Sequence, residues 1–162
     1  MKKQKTKKIS FKPIGIIRSD FSQAKDTVFC CEKGLKAKNI GMVILDSKHQ
    51  RGLKGIEKFS HIFVLYYLDK IKKVELITYP GPLSVKNLPQ VGVFASRSQY
   101  RPNKIALRLV KLVKVKDRSL MVQGLDGLDG SLVLDIKPYI PGFDQPKSIK
   151  IAPWYNWLAK NK

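Results

Sequence analysis

The chain has 162 residues and a hydrophobic content of 43%, which fits one globular domain with its own core and excludes a wholly disordered chain. Lysine and arginine number 32 against 12 aspartates and glutamates, for a formal net charge of +20. Because such an excess of like charge repels itself, it favours a polyanionic partner such as nucleic acid, and a generally lysine-rich surface is the plainer alternative.

The sequence contains no run close to the ~20 apolar residues that cross a bilayer, and its N-terminal residues are charged. We therefore expect a soluble, cytoplasmic protein with no membrane partner. The two cysteines, Cys30 and Cys31, are adjacent, which would strain a disulfide between them. No cysteine or histidine spacing predicts zinc, so we expect no metal site.

Residues 1–10 are dense in lysine and predict a basic flexible arm that attracts phosphate, although a solubilising tail explains them equally well. Residues 11–162 predict a single domain. Its apolar and alternating runs are short and separated by turn signals, which is typical of strands. The predicted strands are 11–18, 39–45, 59–68, 91–95, 105–116, 120–125 and 132–137.

Three connections carry further information. The polar residues 46–58 suggest a short helical turn, and the proline-rich residues 71–90 predict a long surface loop that can fold over a site. Within 105–116 the apolar face changes side, which predicts a β-bulge. Pro153 can begin a C-terminal helix with Trp154, Trp157 and Leu158 on one face. We predict an all-β barrel or sandwich with one short helix.

The stretch from residue 91 to residue 107 reads V-G-V-F-A-S-R-S-Q-Y-R-P-N-K-I-A-L. It places Arg97, Tyr100 and Arg101 on a loop between two apolar segments, where binding groups are often found. Paired guanidinium donors can bind a carboxylate or a phosphate in a way that lysine cannot copy. A solvated basic loop remains the alternative at this point.

Residues 124–130 read G-L-D-G-L-D-G, but strand periodicity follows them, so they match neither a Rossmann fingerprint nor a phosphate-binding loop. Tight turns explain the two Asp-Gly pairs, and a calcium site has too few oxygen ligands. On so basic a chain, we expect specific partners for the acidic residues of this region. They are Asp117, Asp126, Asp129, Asp135 and Asp144.

Two of these segments resemble the signatures of the TsaA-like, or TrmO, family: G-V-F-A-S-R-S-x-x-R-P-N at 92–103 and D-G-S-L-V-L-D-I-K-P-Y at 129–139. The segments P-I-G-I-I-R-S-D-F at 13–21 and R-G-L-K-G-I-E-K-F-S-H-I at 51–62 resemble the family as well. The resemblance implies a small β-barrel of the TrmO/TsaA-like type and a homodimer with its cofactor near the subunit interface. It also implies an S-adenosylmethionine-dependent tRNA methyltransferase.

The reaction implied by the resemblance is methylation of N6 of threonylcarbamoyladenosine at position 37 of tRNA. The threonyl carboxylate of that base needs a cation, and Arg97 or Arg101 fits this need. The attacking nitrogen is amide-like, so its proton must leave at or near attack. The alternative is a non-catalytic barrel that binds S-adenosylmethionine and RNA.

The resemblance assigns catalysis to Arg97, Tyr100 and Asp126, and substrate binding to Arg97 and Arg101. Asp126 can bind the cofactor ammonium or accept the proton, and Phe21 can stack on adenine. This chain has Asp20, Lys104 and Leu132 where the family commonly has proline, and Phe21 where tyrosine is common. The implied cofactor-binding residues are Ser19, Asp20, Phe21, Ser60, His61, Gln90, Tyr100, Gln123, Gly124, Leu125 and Asp126.

His61 begins the apolar run 59–68, at the mouth of the predicted strand. The pKa of an unperturbed histidine lies near neutrality, so its imidazole can act as a hydrogen-bonding or acid–base group. A lone histidine at a strand edge is more often structural. The resemblance places the F-S-H block beside the cofactor, so we interpret His61 first as a binding residue.

Overall fold

The computed structural model describes residues 8–27, 36–81 and 88–155, and its main element is a closed barrel of six antiparallel strands. Around the barrel the strands follow the order β1-β2-β7-β6-β3-β8, and β1 and β8 pair to close it. This confirms the predicted all-β barrel. The strands are β1 (Gly15–Arg18), β2 (Ile40–Leu45), β3 (His61–Tyr67), β4 (Ile77–Thr78), β5 (Val91–Gly92), β6 (Ile105–Lys116), β7 (Ser119–Gln123) and β8 (Leu132–Pro138).

Alternation of inward and outward side chains builds the core. Along β3, Ile62, Val64 and Tyr66 are buried, whereas the residues between them are only partly covered. Removal of such apolar side chains from water contributes roughly 1.5–3 kcal/mol for each large residue. The side chains that are fully buried inside the barrel come from each of its six strands, and they include Ile17, Val43, Ile62, Val64, Val110, Leu120, Val122 and Val133.

The predicted bulge in β6 is confirmed. The pairing of β6 with β7 changes register between Leu112 and Lys114, so Leu112 points into the core while Val113 is 47% exposed. A second register change lies between Leu65 and Tyr66, where β3 pairs with β8, and the sequence did not predict it.

The prediction of a strand over 91–95 is wrong beyond its second residue. The strand ends at Gly92, and Val93–Ala95 form a 3-10 turn. The Val93 amide donates to the Leu76 carbonyl, while the Ser96 amide and hydroxyl both donate to the Val93 carbonyl. These bonds close the chain into a turn, which alternation of apolar residues cannot reveal.

Two other strands are shorter than predicted. The first begins only at Gly15, and the strand predicted for 120–125 ends at Gln123. Gly124 stops it because its φ of 87° lies in the left-handed region, which glycine adopts without the strain that a Cβ would bring.

The connections between strands largely agree with those predicted from the sequence. Two 3-10 helices, Ser47–Leu53 and Ile56–Lys58, form the helical part of 46–58. The strand β4 lies within the predicted loop 71–90 and pairs with β5 in a separate two-stranded sheet. None of the helices in the described ranges is long and apolar enough to cross a membrane.

Residues 153–155 are helical, in agreement with the predicted C-terminal helix, and Pro141–Asp144 form an additional short α-helix. The other residues predicted for the C-terminal helix, Trp157 and Leu158, lie outside the described residues, as do Cys30, Cys31 and positions 1–7 of the arm.

Gly15 lies where β1 approaches the main chain of β2 too closely for a side chain. A Cβ there would lie 2.2 Å from the Ile44 carbonyl oxygen and 2.8 Å from the Leu45 Cα. Because backbone atoms must move to relieve this clash, we expect Gly15→Ala to lower the free energy of unfolding by about 1–3 kcal/mol. Thermal or urea unfolding measures the effect. Gly52→Ala is the control, since nothing lies within 4 Å of its Cβ position, and equal losses in both variants would contradict the account.

Candidate functional site

One end of the barrel gathers most of the predicted site residues. The chain leaves β1, β3 and β7 at this end and enters β2, β6 and β8 there, as the strand registers require. Asp126 lies here, in the connection between β7 and β8. We refer to this region as the Asp126 end.

Two buried side chains from neighbouring strands hold the Asp126 carboxylate. The Tyr66 hydroxyl, at the end of β3, donates to Oδ1 at 2.9 Å. Arg108 Nη1, from β6, lies 3.3 Å from Oδ2. The side chains of Arg108 and Asp126 are only 14% and 16% exposed. Arg108 Nε also donates to the Gly124 carbonyl at 2.8 Å. The carboxylate therefore has a defined orientation, and its loop is fixed to β6.

Sequence reasoning did not predict Tyr66 and Arg108 as site residues. Arg108 is the only charged residue in the apolar run 105–110, and an arginine within such a run is a signal for a buried ionic partner. Tyr66 gives a weaker signal, because an inward tyrosine in a strand is also a common core residue.

Ser19, one of the predicted cofactor-binding residues, lies next to this loop. Its hydroxyl donates to the Gly127 carbonyl at 2.8 Å, and its amide donates to the Asp129 carboxylate at 3.2 Å. Lys70, just after β3, donates to the Asp129 carbonyl at 3.2 Å. The ends of β1 and β3 are thus joined to the loop that carries Asp126.

Phe21 is 8% exposed and packs against Ala37 and Leu128 in a small second core. Its predicted stacking on adenine would need an open ring face, whereas in this arrangement the ring fills space between loops. Asp20 is exposed beside it.

The contacts of residues 123–125 mainly fix the main chain that leads to Asp126. Gln123 Nε2 donates to the Ala37 carbonyl at 3.2 Å, and Asn39 Nδ2 donates to the Leu125 carbonyl at 2.6 Å. The Leu125 side chain is fully buried in the core. This segment therefore sets the position from which the chain reaches Asp126.

The loop 96–104 lies at the same end and leads directly into β6. Arg101 Nη1 donates to the carbonyls of Val93 and Ser96 at 3.1 and 3.0 Å, so this arginine holds the 3-10 turn in place. Arg97 is exposed and lines a shallow cavity. The Tyr100 carbonyl accepts from the Glu75 amide at 3.0 Å, which ties this loop to the segment after β3.

Lys73 and Glu75 form an ion pair beside this loop. A hydrogen bond and an ion pair with Glu75 raise the pKa of Lys73, and the nearby Tyr100 adds a small contribution in the same direction. Gln90, the last predicted cofactor position before β5, is exposed and donates to the Tyr79 hydroxyl at 3.1 Å. It lies beside the small sheet that supports the 3-10 turn.

Ser60 and His61 lie elsewhere. They begin β3, whereas Tyr66 lies five residues further along the same strand, a separation of about 17 Å. The Ser60 hydroxyl and His61 Nδ1 form a hydrogen bond of 2.9 Å with each other. A single copy of the chain therefore does not bring this pair to Asp126.

Of the five aspartates for which specific partners were expected, three form ion pairs with basic side chains, and Asp144 accepts a hydrogen bond from the Ile140 amide. Among the described residues, no three side chains of the kinds that bind metals converge on one point. The ion pairs are Asp126–Arg108 at 3.3 Å, Asp129–Arg18 at 3.1 Å and Asp135–Lys137 at 2.8 Å.

Comparison with known proteins matches residues 16–145 to the family model described as the tRNA-methyltransferase O N-terminal domain. A protein of Pyrococcus abyssi named as a probable S-adenosyl-L-methionine-binding protein is 40% identical over 154 residues, which cover 94% of this chain and 78% of that protein. The human tRNA (adenine(37)-N6)-methyltransferase is 34% identical over 140 residues, which cover 85% of this chain and 31% of the human protein.

The crystal structure of TrmO from Pseudomonas aeruginosa is similar to this chain with a TM-score of 0.68 and 27% identity, and the match covers 91% of this chain and 63% of that one. This chain thus spans less than two thirds of the Pseudomonas and human proteins. The family match includes every strand of the barrel and the whole Asp126 end. The chain belongs to the tRNA-methyltransferase O N-terminal domain family.

Proposed function

We propose that this protein is an S-adenosylmethionine-dependent methyltransferase that acts on N6 of threonylcarbamoyladenosine 37 in tRNA. The observation that carries the proposal is the oriented Asp126 carboxylate, at the same barrel end as the loop that bears Arg97, Tyr100 and Arg101. The names of the relatives support both the cofactor and the substrate. The net charge of +20 supports a polyanionic substrate.

The Asp126 end fits the amino-acid part of the proposed cofactor. A largely buried carboxylate with fixed orientation suits an ammonium group, and charge-assisted bonds of this type are the stronger ones. Ser19 and the main chain of 123–125 would surround it. When bound, S-adenosylmethionine supplies the electrophilic methyl group, and the contribution of this chain is to hold the reactants in line.

For the substrate, we propose that Arg97 binds the threonyl carboxylate. Arg97 is exposed at the cavity, whereas Arg101 has one terminal nitrogen engaged with two carbonyls and mainly supports the loop. Any contact of Arg101 with the substrate would use the rest of its guanidinium. Tyr100 places a phenol on the same loop, where it can orient the base or its proton.

Asp126 has two possible roles in this proposal, binding of the cofactor ammonium or removal of the proton from the weakly nucleophilic nitrogen. Ser60 and His61 would act in a homodimer, where the second copy can bring them to a cofactor that they cannot reach within one chain. The competing function, a non-catalytic barrel, predicts binding of cofactor and RNA without transfer.

We expect calorimetry to show binding of both S-adenosylmethionine and its demethylated product, because the two share the ammonium that Asp126 would hold. Adenosine triphosphate, which lacks the amino-acid part, is the control and should bind more weakly. If neither amino-acid ligand produces heat or a thermal shift at millimolar concentration, the proposed function fails. Binding without methyl transfer to threonylcarbamoyl-modified tRNA would favour the non-catalytic barrel.

A further inference from the structure

Phe94 is a large aromatic residue whose surface is 76% exposed, although it lies in the middle of the motif that supports the proposed site. Its ring lines two cavities. The larger has a volume of about 420 Å³, and the smaller about 210 Å³. Ala95, Ser96, Arg97 and Tyr155 line the larger one with Phe94, and Arg101, Pro102, Asn103 and Ile105 line the smaller one with it.

The Phe94 ring is exposed, but a contact with Arg101 holds it in position. The Arg101 Cζ lies 5.8 Å from the ring centroid, within the range of a cation–π contact. The same guanidinium bonds to the carbonyls on either side of the turn, at Val93 and Ser96. Phe94 is therefore an aromatic surface held in place before any ligand arrives, which reduces the entropy lost on binding.

The charges around Phe94 decide what it can bind. Each cavity has an arginine in its lining, and those linings contain no acidic residue among the positions that the structure describes. An aromatic ring beside guanidinium groups is the combination with which proteins hold unpaired nucleotides, the base stacking on the ring while a cation meets the phosphate.

We propose that Phe94 is a stacking platform for an unpaired base of the RNA substrate, a neighbour of the base that is methylated, and that the rest of the Arg101 guanidinium binds the adjoining phosphate. This inference rests on the proposed function, because it assumes an RNA substrate. Chemistry on a base requires that base to leave the stack, and its neighbour then loses a stacking partner. Phe94 would replace that partner.

The test compares Phe94→Ala with Phe143→Ala. Phe143 is 86% exposed and lies in the short helix after β8, which adjoins the His61 end of the barrel. Filter binding with an anticodon stem-loop RNA should show about 5- to 150-fold weaker binding for Phe94→Ala, the range for loss of one base–aromatic stack. Phe94→Trp should restore binding, and Phe143→Ala should leave it unchanged. A 2-aminopurine label beside position 37 should lose its fluorescence quenching only in Phe94→Ala.

Three results would overturn the proposal. Unchanged RNA affinity in a Phe94→Ala variant with a normal melting curve would exclude the stack. Loss of S-adenosylmethionine affinity instead of RNA affinity would assign the cavity to the cofactor adenine. Conversion of a dimer to a monomer, with unchanged affinity per chain, would assign it to a second copy. All three measurements are independent of turnover, so an inactive wild type that still needs Phe94 for RNA binding would overturn only the proposed function.

Discussion

Replacing Asp126 by asparagine is expected to lower the rate of methyl transfer by about a hundredfold or more, the scale for a positioned acid–base group. Asparagine is nearly isosteric, but it removes the negative charge opposite Arg108 and presents an amide to two groups that both donate hydrogen bonds. Single-turnover transfer to threonylcarbamoyl-modified tRNA measures the effect, and a melting curve shows whether the variant is folded.

Tyr66→Phe provides the matched variant for this experiment. It removes one hydrogen bond to Asp126 but changes no charge, so we expect a smaller loss of rate than in Asp126→Asn. If both variants transfer methyl as fast as the wild type, the assignment of Asp126 to the site is wrong, although the family membership is unaffected.

The two possible roles of Asp126 give different binding results. If the carboxylate binds the cofactor ammonium, Asp126→Asn should lower the affinity for S-adenosylmethionine. The affinity for 5′-methylthioadenosine should not change, because that ligand lacks the amino-acid part. If the carboxylate accepts the substrate proton, both ligands should bind normally while transfer fails. Calorimetry with the two ligands separates these cases.

Replacing Arg97 by lysine is expected to lower methyl transfer by about tenfold or more, and to change overall tRNA affinity far less. Lysine keeps the charge but loses the planar two-donor geometry that matches a carboxylate, and a hydrogen bond to a charged group contributes roughly 1.5–3 kcal/mol. One such contact adds little to an affinity that many phosphates supply. Transfer and filter binding are measured on the same preparations.

Arg51→Lys is the control, since Arg51 is exposed in the 3-10 helix Ser47–Leu53 at the opposite end of the barrel. A second comparison uses tRNA with unmodified adenosine 37, which has no threonyl carboxylate, so Arg97→Lys should not weaken its binding. Equal losses of transfer in Arg97→Lys and Arg51→Lys would show that Arg97 has no specific role.

The sequence by itself determined most of the strands, and the resemblance of its motifs to the family selected a barrel over a sandwich. The continuous apolar run of β3, the strand periodicity of β8 and the change of apolar face in β6 were visible because a side chain that enters the core must be apolar wherever the strand lies. The motif residues from Arg97 to Arg101 and the loop around Asp126 were also identifiable, since turn chemistry and charge are local properties.

Tertiary structure alone decided how these pieces meet. Tyr66 is 60 positions from Asp126 in sequence, and the contact exists only because barrel closure brings β3 and β6 to the same end as the β7–β8 connection. The same geometry puts Ser60 and His61 about 17 Å away, at the other end of β3, although they lie only a few residues from Tyr66. A strand separates residues that are close in sequence, and strand pairing joins distant ones, so residue spacing alone could not locate the site.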